Sequence, residues 1–175
     1  MASVAELVAD CLAAAQTDRP IDAVRDVLRG VIEQPVLWQQ VFEREVEQTD
    51  HRGIAELHAD DQLTITHVAL EPGFVSGVHD HGIPALIAVY SGQEDNTFYR
   101  AAGGVPVVDR HVAVVAPDIL FMAVEDIHHI ENRLAETLRA VHIYFGSLPD
   151  AVRSAWNMET GERMPRGGSP GAPAA

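Results

Sequence analysis

Up to about residue 50, apolar positions recur at the three- and four-residue spacing of helices that bury one face. Leu7, Val8, Cys11, Leu12 and Ala15 form the first such stripe. Asp18 and Pro20 supply a start signal for a second segment carrying Ile21, Val24, Leu28 and Val31, and a third opens at Pro35 and buries Leu37, Trp38, Val41 and Phe42. From about residue 54 the pattern changes to short runs of β-branched and aromatic residues separated by turn signals: LTITHVAL, EPG, ALIAVYSG, NTFYR, AAGG, VPVVDRHVAVV and LRAVHIYF. Three helices followed by roughly eight strands predict an antiparallel barrel or sandwich under a helical layer, in one domain because no low-complexity linker divides them. The expected organisation is a helical segment over 1–50, a barrel over 51–158 and a disordered tail over 159–175, which ends GERMPRGGSPGAPAA and has nothing to bury. No internal repeat is visible.

Composition narrows the function classes. The 175 residues, 47% of them hydrophobic, are ample for a single core. With 12 basic and 26 acidic residues the net charge is −14, which repels phosphate backbones and anionic lipid headgroups, so neither nucleic acid nor a membrane surface is an expected partner. Cys11 is the sole cysteine and has no internal partner, the opening MASVAELVADCLAAAQTD lacks the basic start and apolar run of a signal peptide, and no run approaches the ~18 apolar residues of a membrane span. A soluble, cytoplasmic protein is the expectation.

The chain carries nine histidines, several of them clustered. His79 and His81 flank Asp80 in VHDHG; on an extended chain positions i and i+2 point the same way, so two imidazoles can meet one ion. Asp80 points to the opposite face and reads as structural. A third ligand has to come from another strand, and DIHHIEN offers His128 and His129 on opposite faces, of which only one can look inward; periodicity does not choose, because isoleucine flanks both. In VHIYF, Ala140, His142 and Tyr144 share a face by the same rule. A His and a Tyr directed into a barrel are more often hydrogen-bonded core groups than catalysts.

These residues resemble the two motifs of the cupin superfamily: Gly73, five residues, His79 and His81, then Gly92, followed later by His128 and Asn132 with three residues between them. The resemblance implies a mainly β fold, a double-stranded β-helix or jelly-roll barrel, here with an N-terminal helical layer. In most cupins a glutamate ligand stands seven residues before the closing glycine, and here that position is Ala85. The missing carboxylate resembles the cysteine dioxygenase group of thiol dioxygenases, whose iron is held by three histidines. HDHG followed by ALIAVYSGQEDNTFYR is similar to the bacterial cysteine-dioxygenase-like branch, and IHHIEN matches its third-ligand motif with His128, not His129, in the ligand place. VHIY is similar to that family's Ser-His-Tyr relay, with Ala140 in place of the serine, so the network orienting His142 is incomplete or uses water; Ala85 also removes the cysteine that crosslinks to the relay tyrosine in animal enzymes. The resemblance covers residues 50 to 157.

What the resemblance implies is an Fe(II) site formed by His79, His81 and His128, with Zn or Ni as other divalent occupants, no organic cofactor, and oxidation of a small thiol to its sulfinate with O2. Imidazole suits iron as well as zinc, copper or nickel. Three neutral imidazoles leave the full charge of the dication to hold a thiolate deprotonated. Tyr144 and His142 would then act on the bound substrate, and Arg52, near the position of the family's carboxylate-binding arginine, would anchor a mercapto-acid. Arg100, Arg139 and Arg153 are weaker candidates. A cupin using the same ion as a Lewis acid for isomerisation or hydrolysis, and a non-catalytic metal- or small-molecule-binding cupin, are the alternatives, since a barrel alone licenses no reaction. Homo-oligomers are common among cupins, although no face here identifies one. His51, His58, His67 and His111 read as polar strand or loop residues. Glu94, Asp95 and Asn96, which the family resemblance highlights, read from the residues as solvated or ladder-capping groups, the stripe Trp38, Val41 and Phe42 as packing between helix and barrel, and Cys11 as a small buried hydrophobe.

Overall fold

The computed structural model describes residues 2–101 and 103–166. Its first element, α1 (Val4–Ala15), starts where Ser3 accepts a hydrogen bond from the Glu6 N–H, and buries Leu7 and Cys11. Helix α2 (Pro20–Ile32) begins at its proline, with Arg19 and not Asp18 at the capping position and no side-chain cap; the ring presets the first helical φ, so Pro20 alone sets the start. Helix α3 (Pro35–Glu45) buries Trp38, Val41 and Phe42. Leu37, expected to be buried with them, is 40% exposed because it sits at the margin of their stripe, about 100° around the helix from Trp38. No helix among the described residues is long and apolar enough to cross a membrane.

Among the described residues eleven strands follow, against the roughly eight expected: β1 (Ile54–Ala59), β2 (Thr64–Leu70), β3 (Val78–Asp80), β4 (Ala85–Ser91), β5 (Gln93–Arg100), β6 (Val107–Val115), β7 (Asp118–Met122), β8 (Ile127–Glu131), β9 (Leu138–Tyr144), β10 (Arg153–Trp156) and β11 (Arg163–Arg166). They form two antiparallel sheets, β1-β2-β9-β4-β7 and β11-β10-β3-β8-β5-β6, facing each other as a jelly-roll barrel. Strands β3, β10 and β11 are only three or four residues long, too short for alternation to reveal them. The tail expected from 159 onward begins instead as a hairpin: β11 pairs with β10, Trp156 opposite Arg163, so the barrel's sheet extends past the expected boundary at 158. The rest of that tail, 167–175, lies outside the described residues.

The central strands of the first sheet carry apolar residues on both faces, as their continuous hydrophobic runs require. Ile65, Leu86, Ala88, Tyr90, Val141 and Ile143 pack outward against Leu7, Cys11, Leu28, Trp38 and Phe42 of the helices. The alternate positions, among them Val68, Ile87, Ala140 and Tyr144, pack inward with Phe98, Met122 and Leu148. Each fully buried leucine or phenylalanine contributes roughly 1.5–3 kcal/mol, so the helical layer is integral to the barrel. The same two-residue alternation directs Thr66 and His142, neighbours across β2 and β9, into the interior.

Candidate metal centre

His79, on β3, faces His128, on β8, directly across an antiparallel pair, and His81 lies two residues past His79. The ring centroids are 5.1 Å apart for His79–His81, 4.7 Å for His79–His128 and 4.9 Å for His81–His128. One nitrogen from each ring falls within 4.8 Å of the other two, and all three residues are buried. His128 Nε2 lies 3.3 Å from His81 Nε2. Nitrogens bonded to one ion at ~2.0–2.1 Å lie roughly 3.0–3.4 Å apart, so the geometry suits a shared cation.

The far nitrogens explain why the near ones are available. His79 Nδ1 is 2.8 Å from the Gly77 carbonyl, which can only accept, so Nδ1 carries the proton and Nε2 keeps its lone pair. His128 Nδ1 is 2.8 Å from Asn96 Oδ1 in the same relation. His129, whose choice against His128 periodicity left open, turns outward, where Tyr99 Oη (2.8 Å) and Glu131 Oε1 (2.9 Å) take its two nitrogens. Asp80, between the two histidines, accepts from the Ser154 N–H through Oδ1 at 2.8 Å and ties β3 to β10.

The three histidines form one wall of a cavity of about 50 Å³ that Arg52, His142, Tyr144 and Arg153 also line. Tyr144 meets His81 edge-on at 5.0 Å between centroids, and its hydroxyl is 3.4 Å from His142 Nδ1. Ala85, the position without a carboxylate, is fully buried and pairs with Tyr144 across β4 and β9. Arg52 is gripped by Asp50: Arg52 Nε donates to Oδ2 at 2.9 Å, a second guanidinium nitrogen donates to the same oxygen, and the Arg52 N–H donates to Oδ1 at 2.9 Å. Burial alone would raise the Asp50 carboxyl, but the hydrogen bonds from Arg52 and the Ile54 N–H outweigh it and hold it below the ordinary aspartate value.

Two glycines bring the arginines in. Gly53 has φ +86°, and a Cβ there would lie 2.0 Å from the Ala69 carbonyl oxygen, so the Arg52 turn packs on β2 only with glycine at that position. At Gly82, φ +65°, a Cβ would come within 2.3 Å of the Val152 oxygen, which lets the turn after His81 close on the Arg153 segment. Arg153 is 3% exposed; burial pushes its guanidinium down from the ordinary arginine value, opposed by Tyr144 and Asp80.

Sequence reasoning missed one pair. Glu94 and Asn96, expected in solvent or capping a ladder, are 0% and 1% exposed. Glu94 Oε1 accepts from Asn96 Nδ2 at 3.0 Å, and Oε2 is 3.0 Å from His142 Nε2, reaching across the barrel from β5 to β9. His142 is therefore oriented by a carboxylate, not left without a partner by the Ala140 substitution. Burial would raise the Glu94 carboxyl; the charge and hydrogen bond of His142, the Asn96 hydrogen bond and the charge of His128 together hold it below its ordinary value. The available signal was the two-residue step from Glu94 to Asn96 to Phe98, whose ring is buried. Of the remaining histidines, His58 pairs with Asp60 and His111 with Thr97, whereas His67 is buried under α3, with Nε2 2.8 Å from Tyr90 Oη and its ring stacked on Phe42 at 4.2 Å.

No protein-family model and no curated protein sequence matches the chain. Solved structures do resemble it. One is a cupin superfamily protein from Desulfitobacterium hafniense, 17% identical with a TM-score of 0.45 over 54% of this chain and 76% of that one. Another is an uncharacterised conserved protein with a double-stranded β-helix domain from Klebsiella pneumoniae, 15% identical with a TM-score of 0.48 over 62% of this chain and 88% of that one. A third is the oxalate decarboxylase of Lactobacillus farciminis, 16% identical with a TM-score of 0.47 over 57% of this chain but only 30% of that one. These likenesses concern the barrel and say nothing of chemistry.

Proposed function

We propose that the protein is a non-haem iron thiol dioxygenase that converts a small thiol and O2 to the sulfinate, RSH + O2 → RSO2H, both oxygens ending on sulfur. The observation that carries the reading is the donor set: three imidazoles and no carboxylate among them, on the wall of a small cavity that also presents a phenol and two arginines. An Fe(II) ion held by His79, His81 and His128 would supply O2 activation and keep the thiolate deprotonated at neutral pH.

The chain's own groups divide the remaining work. Arg52 and Arg153 line the cavity and would take an anionic group of the substrate, such as a carboxylate. Arg52 brings a guanidinium whose charge Asp50 partly offsets, whereas Arg153 brings one withdrawn from solvent. Tyr144, edge-on to His81, places its hydroxyl where it can exchange a hydrogen bond with the substrate, and His142 holds that hydroxyl from behind. The small cavity favours a substrate of few heavy atoms.

The test is oxygen uptake by protein reconstituted with Fe(II), using cysteine, 3-mercaptopropionate, cysteamine and mercaptosuccinate, with product identified by mass. Sulfinate formation from at least one thiol is expected. Tight zinc with no thiol-dependent uptake after iron reconstitution would overturn the proposal.

A further inference from the structure

Glu94 stands at the centre of an unbroken file of hydrogen-bonding groups that runs from the metal centre to the phenol: His128, Asn96, Glu94, His142, Tyr144. It is fully buried, and each of its oxygens meets one polar partner at 3.0 Å. A carboxylate can only accept, so its presence dictates the sense of every bond on either side. We infer that Glu94 is the positioning residue that sets proton direction at both ends of the site. The inference rests on the metal-site reading given above.

Toward the metal, Asn96 must turn its NH2 to Glu94 Oε1, which leaves its carbonyl oxygen for His128 Nδ1 at 2.8 Å. His128 must then carry its proton on Nδ1 and present a bare Nε2 toward His81. Toward the cavity, His142 must donate from Nε2 to Glu94 Oε2. With that proton placed, the Nδ1 of neutral His142 accepts from the Tyr144 hydroxyl, and the phenol oxygen turns its lone pairs to the cavity. Tyr144 donates into the cavity only when His142 holds a second proton.

The placement also bears on charge. The ligand set contains no carboxylate, and Ala85 occupies the position where the motif would carry one. Glu94 restores a negative charge one amide away from His128, where it polarises the ligand without occupying a coordination position. A buried carboxylate is costly unless its surroundings compensate it; the two donors do so here, and a dication held by the three histidines would add to it.

The experiment reads ring protonation directly, by long-range proton–nitrogen correlation of 15N-histidine-labelled, metal-free protein near neutral pH. A proton on Nδ1 of His128 and a proton on Nε2 of His142 are expected. Finding neutral His142 protonated at Nδ1 with a bare Nε2, or His128 with a bare Nδ1, overturns the inference, and this measurement needs no variant to fold. In Glu94→Gln one of the two donors loses its acceptor, so at least one of these rings should change its proton pattern, and Co(II) affinity by titration should fall by roughly 10–100-fold. Unchanged ring patterns together with unchanged Co(II) affinity in a folded Glu94→Gln variant also overturn it. If the wild type binds no Co(II), Zn(II) or Fe(II), the metal reading fails, and the ring measurement still decides the direction of the file.

Discussion

His79 and His128 sit directly opposite one another on the β3–β8 pair, and their rings approach to 4.7 Å between centroids. The register that sets this contact also sends His129 outward to Tyr99 and Glu131. His128→Ala should therefore empty the metal site, read by metal analysis after reconstitution, and His129→Ala should leave occupancy largely intact. The reverse result would mean that the strand is shifted by one residue.

Tyr144 meets the His81 ring edge-on, and its hydroxyl lies 3.4 Å from His142 Nδ1. Tyr144→Phe keeps the ring and removes the hydroxyl. Turnover should fall by roughly a hundredfold, the low end of what a positioned proton-exchanging group supplies, while iron content stays unchanged. Equal turnover in the variant would remove the phenol from the mechanism.

The two arginines can be separated with substrates that differ in charge. A charge-assisted hydrogen bond is worth about 1.5–3 kcal/mol, so loss of the anchoring guanidinium should raise KM about tenfold to a hundredfold for 3-mercaptopropionate and far less for cysteamine, which has no carboxylate. Arg52→Ala and Arg153→Ala, both lining the cavity, should each be measured. A KM change of the same size for both thiols would mean that neither arginine reads the carboxylate.

His67 makes a prediction about acid stability. Burial, reinforced by the positive charges of Arg139 and His142, lowers it from 6.5 to about 4, and its Nδ1 is buried without a hydrogen-bond partner. The folded state thus binds the proton less readily than the unfolded chain. The stabilisation is complete above about pH 6.5 and is lost as the pH falls toward about 4, up to ~3 kcal/mol in all. Denaturant unfolding of the wild type minus His67→Gln, across that range, should show stability rising with pH; a flat difference would contradict it.

The local parts of this protein were legible in its sequence. Helical stripes at three- and four-residue spacing, the alternation that turns His142 and Tyr144 to one face, and the i, i+2 pairing of His79 with His81 all depend on residues a few positions apart, whose relative directions backbone geometry dictates. Family resemblance then singled out His128 and the fold. What tertiary structure decided was every relationship between distant positions. The inward turn of His128 follows from the pairing of β8 with β3 and β5. The burial of Glu94 follows from β5 facing β9 across the barrel, so that a polar residue, read as solvated from its type, finds two partners in the interior. Arg153 reaches the cavity because β10 joins the edge of β3. Side-chain periodicity specifies which way a residue points on its own strand, and only strand pairing specifies what it meets.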